Sequence, residues 1–150
     1  MSLYGMKLLI RKVEVEDFPV IFELLKQLWP DNLRDYQKML IVYKQNLCSD
    51  YKRLICAEFQ KQLIGYCSLT IKNNLWQQGY LGNIDELIIE EKFRGQGIGR
   101  QMLEEITRIA RNEGCVQLEL DSGLHREKAH EFYRAAGFNS RAYLFSKSIR

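Results

Sequence analysis

Arg94-Gly95-Gln96-Gly97-Ile98-Gly99 is the stretch on which the reading of the fold turns. Before it, residues 80–90 have the apolar and β-branched content of a strand. After it, Ile98, Met102, Leu103, Ile106, Ile109 and Ala110 fall on one face of a long helix. A helix start leaves several backbone N–H groups without intrahelical partners and carries the positive end of the helix dipole. Residues without a Cβ let phosphate oxygens approach those groups closely. Arg94 and Arg100 flank the turn and add charge-assisted donors suited to phosphate. The segment therefore suits an anionic phosphate ligand, against the plainer reading of a tight turn whose glycines satisfy backbone geometry alone. A nucleoside-triphosphate loop does not fit, because Arg100-Gln101 stand where G-x-x-x-x-G-K-[ST] needs Lys and a hydroxyl. A dinucleotide fold finds Glu119 and Asp121 at a suitable distance downstream. Its glycine spacing is wrong, however, and Glu91-Lys92-Phe93-Arg94 separates strand from glycines where that fold turns at once.

Outward from the loop, residues 7–13 read as a first strand, and Asp17 offers a helix cap before Ile21, Phe22, Leu24, Leu25 and Leu28. Pro30 closes that helix. Tyr36, Met39, Leu40, Tyr43 and Leu47 mark a second, whose aromatic stripe reads as core. Residues 54–59 and 63–71 form a hairpin around Gln60-Lys61-Gln62. Gly114 stops the long helix. Residues 115–120 alternate as a strand, a helix carrying Ala129, Phe132, Tyr133 and Ala136 ends at Gly137, and residues 138–146 read as a last strand. The order β-α-α-β-β-β-α-β-α-β predicts a mixed α/β (α+β) fold with a central, largely antiparallel sheet flanked by helices. With no repeat or linker, residues 1–150 are expected to form one domain.

Composition narrows the function classes. A net charge of +3 from 22 basic and 19 acidic residues is too small and too scattered for a nucleic-acid footprint. The longest apolar runs, such as Met39-Leu40-Ile41-Val42-Tyr43, fall far short of the roughly 18 residues of a membrane span. Without an export segment at the amino terminus, a cytoplasmic protein is expected; Met1-Ser2-Leu3-Tyr4-Gly5, before a second methionine, reads as a loose end or a tag remnant. Cys48, Cys56, Cys67 and Cys115 form no C-x-x-C pair, and with only His125 and His130 available no metal site is expected. Three of the four cysteines fall in strands, where a reduced thiol packs as a small hydrophobe.

Two separated motifs carry a family resemblance. Arg94-x-x-Gly97-x-Gly99 resembles the [RQ]-x-x-G-x-[GA] signature of the GNAT acetyltransferases, and Ala129-His130-Glu131-Phe132-Tyr133-Arg134-Ala135-Ala136-Gly137-Phe138 is similar to that family's A-x-x-F-Y-x-x-x-G-F ending. The element order matches the family along nearly the whole chain. The resemblance implies acetyl-coenzyme A as cosubstrate, no metal, and a primary amine as acceptor, on a small molecule or a protein. It implies cofactor contacts from the main chain of Leu87, Ile88 and Ile89 and from Arg94, Gly95, Gln96, Gly97, Ile98, Gly99 and Arg100. Where many members carry Asn near the start of the last helix this chain has Arg126, which would meet a phosphate instead. Members often dimerise through sheets or helices, so a homodimer is an open expectation.

Acetyl transfer to an amine needs a base for the ammonium proton and an acid for the departing thiolate. Glu86 is the candidate base and Asp85 the adjacent alternative. The two point to opposite faces of a regular strand, and a bulge would change which one faces the cleft. Tyr133 matches the family tyrosine that protonates the thiolate; its plainer reading is an amphipathic core residue. His125 and His130 read as structural, and Ser122 near Asp121 and His125 lacks the G-x-S-x-G elbow of a triad. Trp29, Tyr36 and Trp76 are expected to wall the acceptor. A non-catalytic acyl-coenzyme A sensor on the same fold is the rival from another class.

Overall fold

Alternation along the central strands gives one sheet two buried faces, and the helices divide between them. The computed structural model of the chain describes residues 7–150; the expectation about Met1-Ser2-Leu3-Tyr4-Gly5 lies outside the described residues. Strand β1 spans Leu8–Lys12, and helices α1 and α2 span Phe18–Leu28 and Tyr36–Leu47. Then come β2 (Lys52–Phe59), β3 (Gln62–Asn74), β4 (Gly79–Ile89), α3 (Ile98–Asn112), β5 (Cys115–Leu120) and α4 (Glu127–Ala135). Single 3-10 turns, Val15–Asp17 and Glu91–Phe93, lead toward α1 and α3. The strands lie in the order β1-β2-β3-β4-β5; all neighbours are antiparallel except β4 and β5, which are parallel. The β4-α3-β5 unit is the crossover that a parallel pair requires.

On one face, Ile98, Met102, Leu103, Ile106 and Ala110 of α3 pack on Ile55, Ala57, Cys67, Leu69 and Ile84. On the other, Phe18, Ile21, Leu24 and Leu25 of α1 and Tyr43 of α2 cover Leu54, Cys56, Tyr66 and Ile88. Each large side chain buried this way contributes about 1.5–3 kcal/mol, which holds both layers on the sheet. The stripe on α2 is core, as its spacing predicts: the Tyr43 ring lies 4.9 Å from Phe18 and its hydroxyl donates to the Glu14 carbonyl at 2.6 Å. Asp35 caps α2 by accepting from the Lys38 N–H at 2.8 Å. Asp17 precedes α1 as expected but does not cap it with its side chain. Its carboxylate instead accepts from both terminal nitrogens of Arg11 at 2.8 and 2.9 Å, tying β1 to the start of α1. Cys56 and Cys67 are buried free thiols, as strand cysteines were expected to be.

The expected last strand is a correction. Residues 138–146 form no strand; after Phe138, which packs against the core, the chain leaves the sheet. Composition reports that a segment is competent to be a strand, but a strand exists only where an edge pairs with it, and the β5 edge of this protomer does not. Among the described residues, no helix is long and apolar enough to cross a membrane.

Candidate active site

The central feature is a parting of two strands. β4 pairs with β5 only from Tyr80 to Ile84, opposite Cys115, Gln117, Leu118, Glu119 and Leu120. From Asp85 onward β4 continues bonded to β3 alone, so the main chain of Leu87, Ile88 and Ile89 presents an open edge inside the wedge.

At the same point β4 bulges. Ser68 of β3 faces Glu86 while Leu69 faces Ile84, leaving Asp85 as the extra residue. The consequence is chemical. The Thr70 hydroxyl, at 2.5 Å from Asp85, and the Ser68 hydroxyl, which donates to Glu86, belong to residues two apart on β3, so both carboxylates lie on one face of the sheet. That face is the one covered by α1 and α2, because Tyr66, two residues before Ser68, packs in their core. Asp85 is held by Lys52 at 3.3 Å and Asn83 at 2.9 Å as well as by Thr70. Glu86 has a different setting. Burial pushes its carboxyl above the ordinary carboxylate range and the charge of Asp85 adds to this, against the Ser68 hydrogen bond and the charge of Lys52.

The wedge leads directly to the glycine loop. Gly95 and Gly97 adopt φ of +75° and +81°, the left-handed region closed to most side chains. A Cβ at Gly95 would meet nothing within 4 Å and one at Gly97 only the Arg100 guanidinium, so the loop borders open space. No side chain caps α3, whose first helical bond runs from Gln101 N–H to the Gly97 carbonyl at 3.1 Å; the donors before it point out of the helix end. Gly99 is set against β4 and α4, where a Cβ would lie 3.5 Å from Phe132 and 3.8 Å from Ile89. Gln96 Oε1 is buried without a hydrogen-bond partner among the described residues, and so is Ser122 Oγ just beyond β5. Buried polar side-chain atoms are ordinarily hydrogen-bonded, which marks these two among the described residues.

Arg94 is less free than its place in the motif suggests. Its Nε donates to the Ile89 carbonyl at 2.9 Å and its Nη2 to Gln27 Oε1 at 3.3 Å. Gln27, on α1, also accepts from the Glu91 N–H at 3.1 Å and donates to Glu90 at 2.6 Å. This one side chain clamps the strand-to-helix loop to α1. Nothing in the sequence marks it, since a glutamine on a helix flank has no signature. Ser68 was also unmarked, although it is a hydroxyl on an inward strand position. Arg100 is exposed and reaches Glu104 only at 4.0 Å.

Tyr133 stands on α4 between Phe132 and Phe138, ring centroids 5.3 and 5.9 Å away. Burial raises its phenol above the ordinary value, opposed by the charge of Arg126 at the start of the same helix. The Cys67 thiol is within electrostatic reach of both Tyr133 and Glu86. It faces Leu87 across β3 and β4. His130 bonds the Gly123 carbonyl at 2.9 Å, a structural role as expected, and the unpartnered Ser122 hydroxyl makes no triad with His125. Trp29 and Tyr36 pack beside the α1–α2 core, but Trp76 does not join them. It is 83% exposed in the turn between β3 and β4, and seven residues, about 23 Å of strand, separate Gly79 at the foot of β4 from Glu86.

Residues 18–138 match the Acetyltransferase (GNAT) family. Over 93% of its length the chain is 29% identical to aminoalkylphosphonate N-acetyltransferase of Salmonella typhimurium, covering 90% of that protein. Over 59% it is 28% identical to glucosamine 6-phosphate N-acetyltransferase of Trypanosoma brucei brucei, covering 58% of that one. The fold is that of an aminoglycoside N-acetyltransferase solved in complex with CoA, with a TM-score of 0.83 over 97% of both chains at 19% identity.

Proposed function

This chain belongs to the acetyltransferase (GNAT) family, and from that premise we propose that it carries an acetyl group from acetyl-coenzyme A to the primary amine of a small molecule, by direct attack in a ternary complex. The observation that carries the reading is the parting of β4 from β5 after Ile84. An edge opened within a sheet lets an extended ligand hydrogen-bond as a strand would, and Leu87, Ile88 and Ile89 supply that edge for a pantetheine arm.

The residues present fit the rest of coenzyme A. Open space lies where Gly95 and Gly97 lack side chains, and the uncapped start of α3 offers the amides of Ile98, Gly99 and Arg100 to a pyrophosphate. Gln96 Oε1 is an orphaned acceptor beside it. Arg100 and Arg126 contribute cations, while Arg94 fixes the loop to β4.

Glu86 takes a proton from the acceptor ammonium, directly or through water, freeing the nitrogen lone pair for attack. The new N–C bond forms as the C–S bond breaks. Backbone amides at the wedge polarise the carbonyl oxygen; Tyr133, whose raised phenol keeps its proton at neutral pH, passes it to the thiolate, and the second proton that the nitrogen sheds on becoming an amide restores the Tyr133 phenol through water. Glu86 is preferred to Asp85 because Asp85 is already engaged by Lys52, Thr70 and Asn83. The aminoalkylphosphonate and glucosamine 6-phosphate enzymes support a small amine as acceptor.

Thiol release from acetyl-coenzyme A across a panel of amines tests the reading. Release should depend on an acceptor, and Tyr133→Phe should slow it by roughly 10²- to 10⁴-fold. Coenzyme A binding with no release for any amine would favour the sensor instead.

A further inference from the structure

Two carboxylates set side by side on one face of a sheet tend to share a proton, and neither is then a defined base. Asp85 and Glu86 are such neighbours, yet their hydrogen bonds go to different partners. Asn83 Nδ2 donates to Asp85 Oδ1 at 2.9 Å, and the Thr70 hydroxyl donates to Oδ2 at 2.5 Å. Lys52 Nζ lies 3.3 Å from the same Oδ2 and donates to Thr70 Oγ1 at 2.5 Å. Glu86 takes the Ser68 hydroxyl instead. Lys52 reaches in from β2. It stands opposite Thr70, which stands opposite Asn83, so a single row across three strands engages both Asp85 oxygens.

We propose that Lys52 is a positioning residue for acetyl transfer: it locks Asp85 into this row, so that Glu86 alone takes the proton of the acceptor amine. The proposal rests on the reading of Glu86 as the base. Asp85 is the extra residue of the bulge and has no partner on β3, so side-chain bonds must orient it. A hydroxyl and an amide are neutral partners; Lys52 supplies the charge that keeps the carboxylate there. The two side chains are 25 and 27% exposed, which leaves their attraction less screened than that of a pair in open water. Without Lys52, Asp85 is free to turn toward Ser68 and Glu86, and the two carboxyls would titrate as a pair. Among the described residues, Asp85 and Lys52 are the charged side chains that act on Glu86. Burial first, and then the Glu86 charge, raises the Tyr66 phenol and the Cys67 thiol of β3, and burial raises the Tyr43 phenol of α2, so these neighbours are neutral where Glu86 titrates. Over this face α1 brings Phe18, Ile21, Leu24 and Leu25, which carry no charge.

Carboxyl carbon-13 resonances of the full chain, recorded without an acceptor, follow the Glu86 titration directly, and Glu86→Gln identifies the signal. Lys52→Met keeps the side-chain stem and should raise the midpoint, whereas Lys52→Arg should leave it near its original place. Loss of a cation would raise it by charge alone, so the deciding comparison is made in Asp85→Asn. There the same Lys52→Met change should move the midpoint much less, because no second carboxylate is left to turn. Kinetics with the best acceptor of the amine panel should agree: below the acid limb, kcat/KM of Lys52→Met should fall about tenfold, with the plateau kept and the loss recovered in Lys52→Arg. An unmoved midpoint, an equal movement in both backgrounds, a lowered plateau with an unmoved limb, or no recovery with arginine would each overturn the proposal. The two failures are distinct. No thiol release with any amine overturns the reading of the site and the positioning role that rests on it, while release with an unmoved midpoint overturns the role of Lys52 alone.

Discussion

Glu86 and Ser68 show how a single pair of residues sets the chemistry expected of the wedge. Burial raises the Glu86 carboxyl and the Ser68 hydrogen bond restrains it. If Glu86 is the base, activity is present when it is ionised and is lost as pH falls through its raised value, so the acid limb of kcat/KM lies above the ordinary carboxylate range. Glu86→Gln should remove that limb and lower kcat by about 10²-fold or more. Ser68→Ala takes away a bond that favours the charged form, so the limb should move to higher pH while the plateau changes little. A limb that stays in place in Ser68→Ala would mean that another group titrates there. Sequence alone left Glu86 and Asp85 open, because a regular strand separates them by face. The bulge that brings them together is set by the pairing of β3 with β4 and cannot be read from β4 by itself.

Among the elements, the loop and helix α3 were the most legible. Glycines at φ of +75° and +81°, then an apolar face with helical period, leave little else for the backbone to do. Gly97→Ala should cost about 1–2 kcal/mol of stability through its left-handed conformation and weaken coenzyme A binding, measurable by calorimetry. The clamp was illegible, since Gln27 meets Glu90, Glu91 and Arg94 only after 60 or more residues of intervening chain. Gln27→Ala should raise the dissociation constant for coenzyme A several-fold by loosening the loop, with little effect on the catalytic rate at saturation; an unchanged affinity would reduce the clamp to a surface contact. Asp17 was read for its backbone role, and its partner proved to be Arg11. The Arg11 hydrogen bond chiefly holds the Asp17 carboxyl below its unfolded value of about 3.9. Its contribution is present above that pH and is lost as pH falls through the lowered value. Asp17→Asn should therefore cost about 2 kcal/mol at neutral pH and flatten the acid side of the stability curve, as urea melts between pH 2 and 7 would show.

For the molecule as a whole, the order of helices and strands followed from periodicity and turn residues up to Gly137, and so did a mixed sheet with one parallel crossover; the side-by-side order of the strands is a finding of the structure. What failed was residues 138–146, where a correct reading of strand composition met no edge within the protomer. The Trp76 wall failed for a related reason: position along a hairpin, not residue type, decides what reaches the wedge. Binding couples the parts. Coenzyme A at about 100 times its dissociation constant should stabilise the fold by about 2.7 kcal/mol, visible as a rise in Tm. The most direct test of the central claim is a crystal structure of the chain soaked with coenzyme A. The account predicts a pantetheine arm hydrogen-bonded along Leu87, Ile88 and Ile89 and a pyrophosphate on the amides at the start of α3. Coenzyme A bound elsewhere, with the wedge between β4 and β5 left empty or filled by side chains, would contradict it.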